Sequence, residues 1–389
     1  MKRTIIAIAV CLIASAAFAQ RRETGGGQKV IGDGNNNTTY YAPAFAYGEP
    51  NCNLPDRNGV NISGSCVYLY VQGDHSLSDT TYTDQVLMYW NPNTWAGQTS
   101  KFAGGTRLLP GVDFRGIAMP APEMYGHPSV FQYNGNYYMT ALQSPDGAIF
   151  DKQWWGVSPD GKSWTWYPLF NYTGTRDDLK LPSVTLQPQT IGGVLYFFGF
   201  LEVWQNGGIG MGLIRLRANA TKVRGYDRVD VYTSTGWVTI VSNPETNPDG
   251  NFNNAVPAVL WHGRTQPKYL ATNEVWWSGS GPKDCTAMNC MNVFSGAYTG
   301  WGDRIGYANV VLPTTSTGVA TLTGADNLHS DIRCMPGRYD GAREYPQPLA
   351  GGSPRLLYSA SNDDDFGNGA YCNSQIWVYP GMYIVVTAF

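Results

Sequence analysis

The sequence has 389 residues, of which 14% are charged and 13% aromatic, and its formal net charge at pH 7 is −3. Because basic residues form no cluster, the composition argues against nucleic acid and anionic membranes as partners. The chain is long enough to bury a large core, and its many Tyr and Trp side chains indicate either aromatic packing between sheets or a sugar-binding platform.

The first 19 residues have the pattern of a secretory signal peptide. Lys2 and Arg3 give a basic start, residues 5–17 are apolar, and Ala17-Phe18-Ala19 supplies small residues for cleavage before Gln20. The apolar run is short for a bilayer span, and no later stretch qualifies as transmembrane. We therefore expect a secreted or periplasmic protein with no membrane span.

Six of the seven cysteines would remain after cleavage, because Cys11 lies in the signal peptide. An even number of cysteines in an oxidising compartment favours disulfides over metal ligands. Six cysteines permit fifteen connectivities, so proximity in the sequence is the only guide to pairing. It suggests Cys52–Cys66, Cys285–Cys290 and Cys334–Cys372.

The residues after the cleavage site divide into a leader and a repetitive body. Residues 20–39 are rich in Gly, Asn and Arg, which predicts a flexible leader. In residues 40–389, five segments begin with a Pro, and each leads into an aromatic-rich strand. Such self-similarity with strand-only content is typical of propeller blades, and a Pro suits the first residue of a strand, where its missing N–H is not needed. The sequence therefore predicts an all-β single domain, a five-bladed β-propeller that begins near Tyr40 and repeats this motif at Pro43, Pro128, Pro182, Pro257 and Pro346.

The first two blades contain the clearest local signals. Blade one has an insertion, Pro50 to Ser65, and Val86 to Trp90 is expected to be its third strand. Blade two has two strands joined at Asn134-Gly135, a pair that accepts the positive φ angles of a tight hairpin. Residues 158–164, Ser-Pro-Asp-Gly-Lys-Ser-Trp, then predict a turn in which Asp bonds the backbone that follows it and Trp packs back between strands.

The later blades carry weaker signals. Residues 233–237 are a degenerate copy of the blade-two turn, and blade four is expected from Pro257 to about Pro313. Blade five is expected to start near Tyr345 and to end with residues 374–379. The strongly β segment 382–386 is expected to close the ring against the first blade, which would remove an exposed edge.

The hairpin and turn of blade two together resemble the five-bladed glycoside hydrolases, namely the arabinanase and β-xylosidase group of glycoside hydrolase family 43 and the related fructosidases. Those families share a Pro-x-hydrophobic start, an x-Gly-x-Tyr-Tyr hairpin and a Ser-x-Asp-Gly-x-x-Trp turn, which correspond to residues 128–138 and 158–164. Ala121-Pro122-Glu123 also resembles their Trp-Ala-Pro-Asp/Glu segment, with Met119-Pro120 in place of the Trp. The resemblance implies a propeller that acts on a poly- or oligosaccharide.

The positions that would be catalytic by this resemblance are not acidic. In the family, carboxylates sit directly before the Pro residues, and here those positions are Ala42, His127, Leu181, Val256 and Tyr345. Glycoside cleavage needs two carboxyl groups, one acid and one base or nucleophile. Carboxylates near the strand starts are therefore the predicted catalytic residues, namely Glu123, Asp178 and Glu344. The predicted substrate-binding residues are His127, Tyr41, Arg343 and Tyr345.

Each of these residues also has a structural interpretation. Asp178 can be half of a solvated Asp177-Asp178 pair, Glu344 can pair with an arginine, and His127 can fill a central channel. Residues 363–365, three consecutive Asp, can bind calcium through oxygen ligands or form a solvated turn, and no other cofactor is expected. The competing hypothesis for function is a non-catalytic propeller that binds glycans or a surface partner. Under either hypothesis we expect a monomer with a carbohydrate partner.

Overall fold

The structure is a computed structural model that describes part of the chain. All regular structure in this part is β, so it contains no helix that is long and apolar enough to cross a membrane. The described residues are 28–31, 39–47, 52–55, 61–64, 67–74, 83–90, 115–116, 124–144, 152–161, 163–171, 179–180, 184–205, 208–246, 255–262, 269–272, 289–297, 304–327, 343–349, 355–361 and 382–388.

The described residues form twenty-five strands. The first twelve are β1 (Gln28–Ile31), β2 (Thr39–Tyr47), β3 (Cys52–Pro55), β4 (Asn61–Gly64), β5 (Val67–Asp74), β6 (Thr83–Trp90), β7 (Arg115–Gly116), β8 (Met124–Tyr133), β9 (Asn136–Ser144), β10 (Lys152–Ser158), β11 (Thr165–Asn171) and β12 (Leu179–Lys180). The others are β13 (Val184–Ile191), β14 (Val194–Gln205), β15 (Gly208–Ala218), β16 (Tyr226–Thr233), β17 (Gly236–Val241), β18 (Trp261–His262), β19 (Tyr269–Thr272), β20 (Cys290–Ala297), β21 (Arg304–Val311), β22 (Thr321–Asn327), β23 (Arg343–Leu349), β24 (Arg355–Ser361) and β25 (Met382–Ala388).

These strands form five larger antiparallel sheets, which we number in chain order, and one two-stranded hairpin. Sheet one is β2-β5-β6-β7, sheet two is β8-β9-β10-β11, and sheet four is β19-β20-β21-β22. Sheet three runs from β12 and β13 through β14, β15 and β16 to β17, and sheet five is β23-β24-β25-β1. The β3–β4 hairpin is the predicted insertion in sheet one, and β6 is its predicted third strand.

The first strands of the sheets contact one another in sequence. β2 contacts β8, β8 contacts β13, β13 contacts β19, β19 contacts β23, and β23 contacts β2. Strands of one sheet also contact the first strand of the next, as β5 and β6 contact β8 and as β20 and β21 contact β23. Each first strand therefore has two other first strands as neighbours.

The predicted hairpin and turn of sheet two are both confirmed. Asn134 and Gly135 have φ angles of 48° and 79°, and Tyr133 pairs with Asn136 across the turn. In the second turn, the Asp160 carboxylate accepts a hydrogen bond from the Ser163 backbone N–H at 2.7 Å, and Gly161 has a φ of 73°. Local chemistry decides both features, which is why the sequence alone predicts them.

Two predictions about sheet boundaries need correction. Part of the predicted leader is a strand, because β1 pairs with β25.

Pro257 does not begin sheet four: it forms a bridge with Thr233, and β18 pairs with β15, so this segment lies against sheet three. Sheet four starts with β19 and extends past Pro313 to β22. The N–H groups after Pro257 bond to carbonyls that are distant in sequence, and the Pro motif cannot reveal such contacts. These bonds are Ala258 N to Tyr232 O and Leu260 N to Met211 O, each 2.8 Å.

The core of the described residues covers both faces of sheet three. Successive side chains of a strand point to opposite faces, and β14 is apolar at almost every position, so it buries both. Phe197 packs on the face towards sheet two with Phe131 and Trp155. The face towards sheet four contains Tyr196, Phe198, Phe200, Met211, Leu213, Val310 and Leu312.

A hydrogen bond of one kind recurs at three junctions between sheets. The loop that joins the third and fourth strands of a sheet offers a backbone carbonyl to a side chain of the preceding sheet, and we call this contact the inter-sheet clasp. The bond gives the loop carbonyl a donor from the neighbouring sheet. The three clasps are Tyr70 Oη to Gly161 O at 2.8 Å, Trp155 Nε1 to Arg224 O at 2.8 Å, and Trp237 Nε1 to Gly318 O at 2.9 Å.

Candidate functional site

The first strands of sheets one, two and five share an irregularity at their Pro. Pairing of β2 with β5 jumps from Tyr41 to Ala44, that of β8 with β9 from Gly126 to Ser129, and that of β23 with β24 from Glu344 to Gln347. In sheet three, β12 ends at Lys180, β13 begins at Val184, and both strands pair with β14, while Pro182 lies outside the described residues. We call the three positions at Pro43, Pro128 and Pro346 the Pro bulges.

The Pro bulges have a common physical cause. Pro has no N–H to donate, so it interrupts the ladder of hydrogen bonds where that N–H would face the partner strand, whereas Pro188 and Pro348 stand in continuous register. A β-bulge bends the strand and redirects the side chains beside it, and bulges are common next to binding and catalytic sites. Because every bulge lies between the start of a first strand and its hairpin, equivalent residues of different sheets can be identified by register.

Five of the predicted site residues lie at the Pro bulges as backbone positions. His127 and Tyr345 directly precede the Pro in β8 and β23. Tyr41 and Glu344 are the last paired residues before the bulge in β2 and β23, and Arg343 precedes Glu344. By register, His127 holds in β8 the position that Tyr345 holds in β23. In the same way, Tyr41 holds in β2 the position that Glu344 holds in β23.

The other two predicted catalytic residues, Glu123 and Asp178, lie outside the described residues. In the sequence, Glu123 directly precedes Met124, the first residue of β8, and Asp178 directly precedes Leu179, the first residue of β12. Their catalytic assignment remains a prediction.

Lys180 is a candidate that sequence reasoning missed. It is the last residue of β12, two positions before Pro182 in the sequence, and pairs with Trp204. By register it holds in sheet three the position that Glu344 holds in sheet five. The sequence did contain a signal for Lys180. It directly precedes Leu181-Pro182, just as Glu344 directly precedes Tyr345-Pro346.

A charged cluster in sheet three has the character of a structural element. Asp230 is 2% exposed and accepts hydrogen bonds from Arg215 Nε at 2.9 Å and Thr239 Oγ1 at 2.8 Å. Arg228 Nε lies 3.0 Å from the same carboxylate. The guanidinium of Arg215 lies between two rings, 4.6 Å from Tyr196 and 4.0 Å from Trp237. All these partners of the Asp230 carboxylate belong to sheet three itself.

Glu202 is a second buried carboxylate of sheet three, and it is fully buried. It pairs across the strands with Met211. In sheets one and two, Tyr70 and Thr140 occupy the equivalent register position, opposite the residue that follows the Pro. Thr140 Oγ1 donates to the carbonyl of Val184 in the next sheet, so this position serves contacts between sheets. Full burial keeps Glu202 from touching a ligand in this conformation.

Two ionisable groups at the turn between β15 and β16 have shifted pKa values. Burial alone would raise the pKa of Asp227, but hydrogen bonds from Arg217 and Asn219 outweigh it and lower the pKa. Burial raises the pKa of Tyr226 to about 12, against a smaller opposing effect of Arg224. Both shifts follow from packing and pairing within the fold and neither group lies at a Pro bulge.

The metal and disulfide predictions are only partly covered by the structure. Among the described residues, no group of three or more His, Cys, Asp or Glu side chains could hold a metal ion, and residues 363–365 lie outside them. Cys290, the first residue of β20, is disulfide-bonded, and Cys52 is the first residue of β3. The pairing of the six cysteines stays a prediction, because four lie outside the described residues, namely Cys66, Cys285, Cys334 and Cys372.

No protein-family model and no curated protein matches the chain. Among solved structures, the chain is similar to an α-L-arabinofuranosidase from Lactobacillus brevis, with 9% identity, 92% coverage of each chain and a TM-score of 0.48. It is also similar to Zg3597, a family 117 glycoside hydrolase from Zobellia galactanivorans, with 11% identity, coverage of 93% and 89%, and a TM-score of 0.47. A third similar structure is a GH43_1 enzyme from Xanthomonas citri complexed with xylotriose, with 10% identity, coverage of 98% and 92%, and a TM-score of 0.45. The predicted resemblance to glycoside hydrolases thus reappears among solved structures, and a likeness of this degree assigns neither activity nor substrate.

Proposed function

We propose that the chain is an exported five-bladed β-propeller that acts on a poly- or oligosaccharide at the end of its axis marked by the Pro bulges. The ring is supported by the contacts of the five first strands, each with two others. In such a ring, equivalent register positions lie at the same end of the axis. The observation that carries the proposal is the shared bulge, which brings Tyr41, His127 and Glu344 to equivalent ends of their strands.

The proposed chemistry is glycoside hydrolysis. One protonated carboxyl group donates its proton to the glycosidic oxygen, and a second carboxylate acts as the base or the nucleophile. Glu123, Asp178 and Glu344 are the proposed carboxyl groups, because each precedes a Pro of a first strand by a few residues. His127, Tyr41, Arg343 and Tyr345 would bind the sugar hydroxyls or stack against the ring.

The second candidate is a non-catalytic propeller that binds glycans, and one observation favours it. The residues directly before Pro43, Pro128, Pro182 and Pro346 are Ala42, His127, Leu181 and Tyr345, none of which is acidic. A propeller that lacks paired acids at these positions can still bind a sugar through aromatic and polar side chains.

The test is release of reducing sugar from a panel of plant, fungal and bacterial polysaccharides. The wild type is compared with Glu123→Gln, Asp178→Asn and Glu344→Gln, each of which removes a charge with little change in shape. If the proposal is correct, the wild type releases sugar and at least one variant loses about 10²- to 10⁴-fold of the rate. Glu245→Gln is the matched control, since Glu245 is exposed and pairs with Lys222 at 3.0 Å, far from the bulges in sequence.

The two candidates predict different results for folded wild-type protein. Absence of sugar release from every substrate, together with binding on a glycan array, would replace the hydrolase with the binding propeller. Absence of both release and binding would refute the carbohydrate proposal altogether.

A further inference from the structure

The first strand of sheet three has the same register offset as the strands with Pro bulges. Lys180 pairs with Trp204 and Val184 with Leu201, so three residues of the first strand stand opposite two of β14. At each Pro bulge, two residues of the first strand stand opposite one of the second. Each of these four first strands therefore has one extra residue at this point. The last paired residues before it are Tyr41, Gly126, Lys180 and Glu344.

The offset marks one common level of the four sheets. The first strands contact one another in sequence, and in the proposed propeller equivalent register positions lie at the same end of the axis. We give the name bulge end to the described residues of these strands that precede the Pro. They are residues 39–42, 124–127, 179–180 and 343–345.

Sheets one and two supply tyrosines to the bulge end. These are Tyr40, Tyr41 and Tyr125. Residues 39–42 and 124–127 include neither Lys nor Arg, and the only basic residue among them is His127. Tyrosine combines an apolar ring with a hydroxyl group, which suits it to stack against a sugar ring and to bond its hydroxyls. This side of the bulge end can therefore bind a sugar without using charge.

Sheets three and five supply cations instead. Lys180 is the last paired residue before the extra residue of sheet three, and Arg343 directly precedes Glu344 in sheet five. Sheet four lies between these two sheets, because β19 contacts both β13 and β23. Lys180 and Arg343 therefore stand at the bulge end on either side of sheet four.

This placement runs against the charge of the whole chain. The sequence has 29 acidic residues and 26 Lys or Arg, so an average surface would be slightly negative. The described residues of the bulge end include two full cations and one acid, Glu344, so one positive charge is left even when Glu344 is ionised. The proposed hydrolysis uses Glu344, Glu123 and Asp178 as carboxyl groups and gives Lys180 no task. A cation without a task in catalysis, at a site for sugars, indicates a negative charge on the substrate.

On the basis of the proposed carbohydrate site, we propose that the substrate carries an acidic sugar unit, with a carboxylate or a sulfate ester, and that Lys180 and Arg343 select it. Lys and Arg donate charge-assisted hydrogen bonds to such oxyanions, and a planar guanidinium can bind two oxygens at once. A neutral sugar would leave the two cations without a counter-charge, which costs binding free energy. The acidic unit binds towards sheets three to five, and the next sugar of the oligosaccharide binds towards the tyrosines.

The number of cations fits one acidic unit. Nucleic acids and anionic membranes are bound by extended basic surfaces, against which the composition argues. Lys180 and Arg343 are far apart in the sequence, and only the fold brings their strands to the same end of the ring. Two such cations match a single carboxylate or sulfate group on an oligosaccharide.

The test is calorimetric titration of the whole protein with pairs of oligosaccharides that differ only in charge. The pairs are an oligogalacturonide and its methyl ester, a glucuronate-substituted xylo-oligosaccharide and its carboxyl-reduced form, and a sulfated galacto-oligosaccharide and its desulfated form. In at least one pair, the acidic member should bind at least about tenfold more tightly than the neutral member. Raising the salt concentration from about 0.05 M to about 0.5 M should reduce this preference, because salt screens charge pairs that solvent reaches. The first two pairs test a carboxylate, and the third tests a sulfate ester.

Two variants test the assigned residues. Lys180→Met and Arg343→Met each keep an unbranched side chain and remove its charge. Each should lower the affinity for the acidic member about tenfold and leave the affinity for the neutral member unchanged. Because a purely structural role would weaken both affinities alike, their ratio is the measured quantity. Lys222→Met is the matched control, since Lys222 lies in the loop between β15 and β16 and pairs with Glu245 at 3.0 Å, and it should keep the preference.

The outcomes separate this proposal from the proposed function. Equal affinity for both members of every pair, or a preference for the neutral members, would overturn the acidic substrate and leave the carbohydrate site standing. Absence of binding to every oligosaccharide would remove the proposed function and the acidic substrate with it. A preference that persists at high salt and in both variants would assign the selection to other residues and would overturn the role of Lys180 and Arg343. The wild-type titrations decide the substrate class even if neither variant folds.

Discussion

The two junctions on either side of sheet three use the same strands but different chemistry. Towards sheet two, the contact is aromatic: Trp155 lies 5.3 Å from Tyr138, 5.4 Å from Tyr226 and 5.8 Å from Phe197, measured between ring centroids. Towards sheet four, the buried Arg215 bonds to Asp230 and to the carbonyl of Ser316. The first junction depends mainly on apolar burial, and the second adds a charge that must stay paired.

This difference shows that the stability lost on mutation depends on which of the two junctions the side chain faces. In the aromatic junction, truncation removes buried surface and leaves a cavity, so the loss grows with the size of the side chain. In the charged junction, truncation leaves a buried partner charge, so the loss depends on what else can neutralise it. The following predictions test this distinction, in order of decreasing effect.

The largest effect is expected for Trp155→Ala. Trp155 is fully buried in contact with the rings of Phe131, Tyr138, Phe197 and Tyr226, and its removal should lower the free energy of unfolding by about 3–5 kcal/mol. Denaturant unfolding would measure the change. Trp155→Phe keeps one buried ring but removes the donor to the Arg224 carbonyl and part of the ring volume, so it should cost less, about 1–3 kcal/mol. An equal loss in both variants would mean that the clasp, and not burial, holds this junction.

A smaller effect is expected for Arg215→Met. This change keeps an apolar side chain between Tyr196 and Trp237 but removes the guanidinium from Asp230. We expect a loss of about 3 kcal/mol, at the low end for a broken buried pair, because Arg228 still faces Asp230. The double variant Arg215→Met, Asp230→Asn should recover part of this loss. A double variant that loses the sum of the two single effects would show that the charge pairing is not what stabilises the junction.

A third effect appears only at alkaline pH. Because burial raises the pKa of Tyr226 to about 12, the folded state keeps the proton in a range where the unfolded state releases it. This contribution to stability is fully present below pH 10 and is lost as the pH rises towards 12, with a slope of about 1.4 kcal/mol per pH unit. Tyr226→Phe should remove this slope, and the difference between the two unfolding curves from pH 9 to pH 12 measures it. Parallel curves would contradict the assigned burial of the hydroxyl.

The sequence predicted those parts of the fold that depend on neighbouring residues. The hairpin at Asn134-Gly135 and the turn around Asp160 were predicted correctly, because their φ angles and hydrogen bonds are local. Three of the five Pro residues identified as strand starts, Pro43, Pro128 and Pro346, lie in the first strand of a sheet, but inside it and not at its first residue as expected, while Pro182 lies outside the described residues. The fifth, Pro257, lies against sheet three instead, since its neighbours bond to carbonyls of β15 and β16 that no local pattern identifies.

The candidate site was predicted in outline. The Pro motif was enough to select His127, Glu344 and Tyr345, because each stands at or next to a Pro whose missing N–H interrupts the ladder. Lys180 was missed because its equivalence to Glu344 appears only when the strands are paired and their registers compared. The sequence of one strand does not contain its register with another.

The sequence by itself determined the all-β class and the hairpin and turn of sheet two, because alternation and turn chemistry act over a few residues. Only the tertiary structure decided that β1 joins sheet five, that Arg215 is held between Tyr196 and Trp237, and that carbonyls of one sheet are bonded by the sheet before it. Those features join residues up to hundreds of positions apart, and their free energy exists only after the sheets have packed against one another.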